Sequence, residues 1–264
     1  MKRFISSVYG TTNEDRFPGC QPVSIERKHL PLLKASVYAV CEKTDGVRYM
    51  LACFSDELGR KLCVLVDRTF NPTYTTLCVP RDTLLDGELI GHTYVVHDAM
   101  MIQGENVMQL PLTQRLARVK QLNIPITPGN PIVSVKTMYY MDNIRSVKQG
   151  PDTDGLIFTP IYEPVRMGTH EKMFKWKPLK HITIDFMMRG GTLSIQDGTP
   201  ITNDTHTWYT NEMEGKIVEC EFRDGEWRFV KMRPDKDFAN NRRTFERTMV
   251  NIYEDIKFEE FLRL

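Results

Sequence analysis

Between Ser36 and Val230 the chain consists mainly of short β-rich runs divided by polar, glycine-bearing turns. Ser36–Cys41, Val47–Phe54 and Leu62–Val66 read as strands, and Glu57-Leu-Gly-Arg60 joins the last two as a hairpin. Further strand signals fall at Leu89–Ile90, Tyr94–Val96, Ile157–Phe158 and Met173–Lys177. Helical spacing is sparser. Leu112, Leu116, Val119 and Leu122 share one helical face. Ser24–Leu33 reads as a short helix disturbed by Pro31, and the rest of the first 30 residues reads as irregular. A closing helix runs from Asn241 to about Ile256, with Phe245, Met249 and Ile252 as its apolar stripe. Strands with a few interspersed helices predict an α+β protein.

From about His181 the texture changes. Ile182–Met188 and Thr192–Ile195 read as strands around Arg-Gly-Gly191. Lys216–Phe222 and Glu226–Val230 form a second hairpin around Asp224-Gly225. Such closely spaced antiparallel strands predict a small β-barrel. A length of 264 residues accommodates this as one of two domains.

Lys+Arg number 35 and Asp+Glu 34, a net charge of +1, which excludes a bulk polycation coating nucleic acid. The six cysteines include no C-x-x-C pair, and most lie in apolar runs, so they are expected as small buried residues in a reducing compartment. No run approaches the roughly 18 apolar residues of a membrane helix, and the N-terminus has no secretory pattern. A soluble intracellular protein is expected. The histidines at 29, 92, 170, 181 and 206 are scattered without a metal-binding spacing and are expected to be structural or exposed.

Chemistry concentrates in Glu42-Lys43-Thr44-Asp45-Gly46-Val47-Arg48. An Asp-Gly turn flanked by surface charge accounts for Asp45-Gly46 alone. It does not account for two further acidic elements, Asp86-Gly-Glu-Leu-Ile90 and Thr153-Asp-Gly-Leu-Ile157, nor for Met173-Phe-Lys-Trp-Lys177 and Arg233-Pro-Asp-Lys236 downstream. Strand alternation places Lys175 and Lys177 on one face, with Phe174 and Trp176 on the other.

In this order the motifs resemble the covalent nucleotidyltransferases, the mRNA capping guanylyltransferases and polynucleotide ligases. The likeness to capping guanylyltransferases is close, above all to their compact viral members. It spans nearly the full chain, including Pro22–Lys28, Ser36–Met50, His181–Phe186 and Ile217–Leu262. The resemblance implies a ligase-like nucleotidyltransferase domain over 1–180 and an OB-fold over 181–240. It also implies a terminal helix over 241–264 that packs back on the first domain.

The implied reaction has two steps. Lys43 attacks the α-phosphate of GTP to give lysyl-N-GMP, and GMP then passes to the 5′-diphosphate end of RNA as the GpppN cap. An amine attacks only when neutral, and a free lysine titrates near about 10.4, so neighbouring cations or a divalent metal are needed. Arg48, Lys175 and Lys177 are the cations offered. The resemblance assigns Mg²⁺ or Mn²⁺ to Glu88 and Asp154, and a ribose or phosphate contact to Arg68. It assigns the β- and γ-phosphates to Arg233 and Lys236, and a matching position near the domain junction to Asp185.

Gly46, Gly87 and Gly155 are expected to admit close backbone approach to the nucleotide, and Asp45 to hold the turn. Lys136 matches a residue that reads guanine O6, which a lysine donor favours over the adenine amine; a plain surface lysine is the alternative. His97 stands where the family has a base-stacking aromatic. RNA triphosphatase and cap methyltransferase steps are expected from separate proteins. An ATP-dependent ligase shares the lysine and carboxylates, but Lys136 and Arg233–Lys236 favour capping. A degenerate binding module should have lost some of these residues, and none is lost.

Overall fold

The computed structural model describes residues 1–148 and 150–264. The chain forms two compact units, one of Met1–Val23 with Leu32–Lys175, the other of Ser24–Pro31 with Trp176–Leu264.

The first unit opens with helix α1 (Lys2–Tyr9), where an irregular segment was expected. Phe4, Ile5 and Val8 lie on one helical face, and Ile5 and Val8 are buried. Strands β1 (Gln21–Ser24) and β2 (Tyr38–Thr44) flank helix α2 (Leu30–Ala35). β3 (Val47–Ser55), β4 (Lys61–Val66), β5 (Pro72–Tyr74), β6 (Thr83–Ile90), β7 (Thr93–Ile102) and β8 (Glu105–Asn106) follow. Helix α3 (Leu112–Gln121) has nearly the predicted span; β9 (Ile132–Val135), β10 (Tyr139–Tyr140), β11 (Thr153–Pro160) and β12 (Thr169–Trp176) complete the unit.

Two sheets result, one ordered β1-β12-β11-β2-β10, the other β5-β4-β3-β6-β7-β8 with β9 parallel to β7. The second sheet is buried on both faces. Leu51, Leu85, Tyr94 and Val96 pack with Val119 of α3 on one side. Met50, Val66, Leu84 and Met100 pack with Ile5 and Val8 of α1 on the other. A sheet covered on both faces needs apolar residues at successive positions, which is why Met50 to Phe54 reads as a continuous apolar run. Leu112 and Leu116 of α3 reach Ala39 of β2 in the first sheet. The helix therefore bridges the sheets, and the chain passes from one to the other through Asp45-Gly46.

The second unit carries the OB-like sheet, ordered β14-β13-β15-β16, from β13 (Thr183–Arg189), β14 (Thr192–Ser194), β15 (Ile217–Arg223) and β16 (Glu226–Met232). Its β15–β16 turn is the expected one, with both Asp224 and Gly225 at positive φ. Phe186 and Trp227 meet edge to face, 4.8 Å between centroids. Helix α4 (Arg242–Glu254), capped by the Asn241 side chain on Thr244 N, adds Phe245, Met249 and Ile252 to this core. α4 and α5 (Phe258–Phe261) also fasten Ser24–Pro31. Asn251 Nδ2 donates to Ile25 O at 2.6 Å, and Arg27 pairs with Glu260. Trp176 Nε1 donates to Ile256 O at 2.8 Å.

Cys41, Cys53, Cys63 and Cys220 are buried as expected, whereas Cys78 is exposed. No helix among the described residues is long and apolar enough to cross a membrane.

Candidate active site

The two sheets of the first unit enclose a cleft of about 590 Å³, within the size range of small-ligand sites. Lys43, Gly46, Arg48, Arg68, Glu88, His97, Lys136 and Lys175 all line it.

Lys43 stands near the end of β2, its Nζ 2.7 Å from Asp154 Oδ1, both side chains largely buried. β11 pairs with β2 so that Thr153 faces Thr44 and Gly155 faces Lys43, leaving Asp154 as the extra residue of a bulge. A bulge re-aims a side chain, and here it brings the Asp154 carboxylate to the lysine amine. β6 and β7 repeat the device. Asp86 faces Asp98 and Gly87 faces Val96, so His97 is the extra residue.

Gly87 is required there, since an added Cβ would lie 2.6 Å from Val95 O. Gly46 is required by its own neighbours too: its Cβ would lie 2.8 Å from Leu89 O and 2.8 Å from Ile90 Cγ1. Packing of the turn against β6, and of β6 against β7, already demands glycine.

Arg48, one of the cations expected near Lys43, is held in an ion pair. Its Nε and Nη2 engage Asp86 Oδ1 and Oδ2 at 2.9 and 2.5 Å, with both side chains under 10% exposed. In register Arg48 faces Glu88, but it takes the diagonal carboxylate. Burial would push the Asp86 carboxyl up, yet the Arg48 guanidinium and His97, 3.5 Å away, hold it below the usual range. The site therefore sees a buried ion pair at Arg48. Asp86 is the partner that sequence reasoning left without a role; a carboxylate directly after the apolar pair Leu84-Leu85 was its signal.

Glu88 instead hydrogen-bonds the Thr44 hydroxyl. Lys136 is buried, its Nζ 2.9 Å from Glu42 Oε1 and 3.5 Å from Thr44 Oγ1, so the surface-lysine alternative does not hold. Arg68 is exposed at the cleft wall, in a turn where Asp67 Oδ1 accepts from Thr69 N and Asn71 N at 2.8 Å. Lys175 lies on β12, but the strand ends at Trp176, so the predicted alternation stops short of Lys177. Asp98, a cleft residue not foreseen, is gripped by the buried Arg115 through Nε and Nη2 at 2.6 and 3.0 Å.

Lys177 and the remaining candidates belong to the second unit. Arg233 is surrounded by carboxylates. Its Nη1 meets Asp185 Oδ1 at 2.9 Å and Glu219 Oε2 at 3.2 Å, while Nε and Nη2 engage Asp235. Burial pushes the Asp185 carboxyl up against the pull of Arg233, and the Arg233 hydrogen bonds draw Asp235 down to about 2. Lys236 is exposed, its N–H closing a turn onto Arg233 O.

For a divalent metal, Glu88 offers carboxylate oxygens at the cleft, and Asp154 offers its own beside the cleft-lining Lys43. No group of three or more His, Cys, Asp or Glu side chains able to hold a metal occurs among the described residues. One or two carboxylates completed by substrate phosphates and water is the usual arrangement for Mg²⁺, and the donor set fits it.

The family described as "mRNA capping enzyme, catalytic domain" matches residues 1–179, and its companion "mRNA capping enzyme, C-terminal domain" matches residues 167–262. The chain belongs to the mRNA capping enzyme family. The mRNA-capping enzyme subunit alpha of Schizosaccharomyces pombe is 28% identical, over 100% of this chain and 83% of that protein. The mRNA-capping enzyme of Danio rerio is 30% identical over 85% of this chain, which spans 45% of that longer protein. A solved ATP-dependent DNA ligase from bacteriophage T7, in complex with ATP, aligns at 14% identity and TM-score 0.47 over 82% of this chain and 98% of that one. Within the capping enzyme family, the catalytic-domain match takes in every cleft residue named above.

Proposed function

We propose that this capping enzyme is a guanylyltransferase that works through a covalent lysyl-N-GMP intermediate, with Lys43 as nucleophile. The observation that carries this is the Lys43 amine inside a nucleotide-sized cleft, 2.7 Å from a carboxylate able to accept its proton.

In the first step Lys43 Nζ attacks the α-phosphorus of GTP. A P–N bond forms, the bond to the β-phosphate oxygen breaks, and pyrophosphate leaves with the electron pair. Asp154 Oδ1 is in place for the amine proton. Lys175, Lys177 and Arg68 supply positive charge to phosphate oxygens, while the Arg48–Asp86 pair braces the wall behind the lysine. Arg233 and Lys236 serve the β- and γ-phosphates, and Asp185 holds Arg233 between uses. Lys136 donates to guanine O6, and His97 stacks on the base. Mg²⁺ or Mn²⁺ bound by Glu88 and Asp154 with the phosphates would neutralise charge as the leaving group departs.

In the second step a terminal phosphate oxygen of 5′-diphosphate RNA attacks the same phosphorus. The P–N bond breaks, the amine regains a proton, and the GpppN cap is released. A phosphohydrolase must first trim the RNA triphosphate end, and a methyltransferase acts afterwards on the cap guanine; both are proposed as separate proteins. The direct test is Lys43→Ala incubated with labelled GTP. The variant should form no adduct while keeping the wild-type fold by circular dichroism, and normal labelling would rule out Lys43 as nucleophile.

A further inference from the structure

Glu42 and Thr44 flank Lys43 on β2, and all three line the cleft. Glu42 and Thr44 both reach the ammonium of Lys136, at 2.9 and 3.5 Å. Lys136 follows β9, and its backbone N–H extends the pairing with β7 by donating to Val96 O at 2.8 Å. Its side chain is only 5% exposed. An ammonium so withdrawn from water requires an anionic partner, and Glu42 is the carboxylate that supplies it. Of its three N–H donors, one points to Glu42 and one to Thr44; these two fix the direction of the third.

We propose that Glu42 is the positioning residue for base selection: its carboxylate locks Lys136 so that the remaining donor meets a purine 6-carbonyl and rejects a 6-amine. The inference rests on the guanylyltransferase assignment and on the geometry of this ion pair. A freely rotating lysine would adapt to either group. A lysine held on two sides leaves a mismatched donor facing a donor, the arrangement from which polar sites gain discrimination. The Thr44 hydroxyl also bonds Glu88, so the base-reading lysine and the metal carboxylate share one anchor beside the nucleophile.

The test compares GTP with 2,6-diaminopurine ribonucleoside triphosphate, which keeps the 2-amino group but replaces the 6-carbonyl by an amine. Enzyme–nucleotide formation is measured for both with wild type, Glu42→Gln and Glu42→Asp. Glu42→Gln should lower kcat/KM for GTP about tenfold, mainly through KM, and leave the diaminopurine nucleotide nearly unchanged. The preference ratio then falls about tenfold, and Glu42→Asp restores part of it.

Equal losses on both nucleotides, or an unchanged ratio, would overturn the inference, since a structural role lowers both together. Should Glu42→Gln not fold, Lys136→Met carries the same comparison, and an unchanged ratio there overturns it as well. Wild type that forms no adduct with GTP would instead defeat the guanylyltransferase assignment, and the inference with it.

Discussion

Lys43 and Arg48 sit five residues apart and have opposite fates. Lys43 pairs with Asp154 at the cleft surface, where a carboxylate can be drawn away by a cation or accept a proton. Arg48 is committed to Asp86 with both groups withdrawn from water. Breaking such a pair strands a buried charge, so Arg48→Met should cost about 3–5 kcal/mol of stability in urea unfolding. The pair also carries a pH signature. Asp86 is held below its ordinary value of 3.8 in the folded state, so its contribution is complete above that pH and is lost as the pH falls through the lowered folded value. The stability gap between wild type and Asp86→Asn should therefore be level from pH 7 to about 5 and narrow below about 4. A gap that widened toward acid would contradict the assigned sign.

Among the elements, the bulges carry most of the positioning. Asp154 and His97 are each the extra residue of a bulged strand, and Gly46 closes the turn between the sheets. Gly46→Ala would put a Cβ 2.8 Å from the Leu89 carbonyl oxygen, so the turn must shift. We expect a loss of about 1–3 kcal/mol, the range for overpacking, and slower adduct formation because Lys43 and Glu88 move apart; thermal unfolding and single-turnover labelling test the two effects.

These elements also show where the sequence was readable. The alternation and apolar runs of β2, β3 and β4, the Asp224-Gly225 turn and the spacing of α3 all predicted what formed. β6 was legible only at Leu89–Ile90, because buried Asp86 and the required Gly87 interrupt its apolar pattern at the points that build the site. α1 was missed because an eight-residue helix flanked by polar sequence gives little periodicity, although Ile5 and Val8 were there to find. Lys43, Glu88, His97, Lys136 and Lys175 were legible as motif residues that line one cleft. The Arg48–Asp86 and Arg115–Asp98 pairs were not, since each joins residues on different strands or on a strand and a helix, whose register no local pattern specifies.

Across the whole molecule, a cleft built by two sheets in one unit is accompanied by a second unit whose Arg233 is fully engaged with Asp185, Glu219 and Asp235. To serve phosphates, Arg233 must exchange these carboxylates for phosphate oxygens. Arg233→Ala should therefore slow adduct formation from GTP far more than GMP transfer from preformed enzyme–GMP, because only the first step has pyrophosphate to orient. Equal losses in both steps, measured by rapid quench, would remove that role.

The central claim, covalent guanylyl transfer through Lys43, is tested most directly by incubating the protein with Mg²⁺ or Mn²⁺ and α-labelled GTP, with α-labelled ATP in parallel and no RNA, followed by denaturing electrophoresis. The account predicts a band labelled by GTP alone, labile to acid as a phosphoramidate must be, and erased by added pyrophosphate. Labelling by ATP in place of GTP, or no label from either with the protein folded, would contradict it.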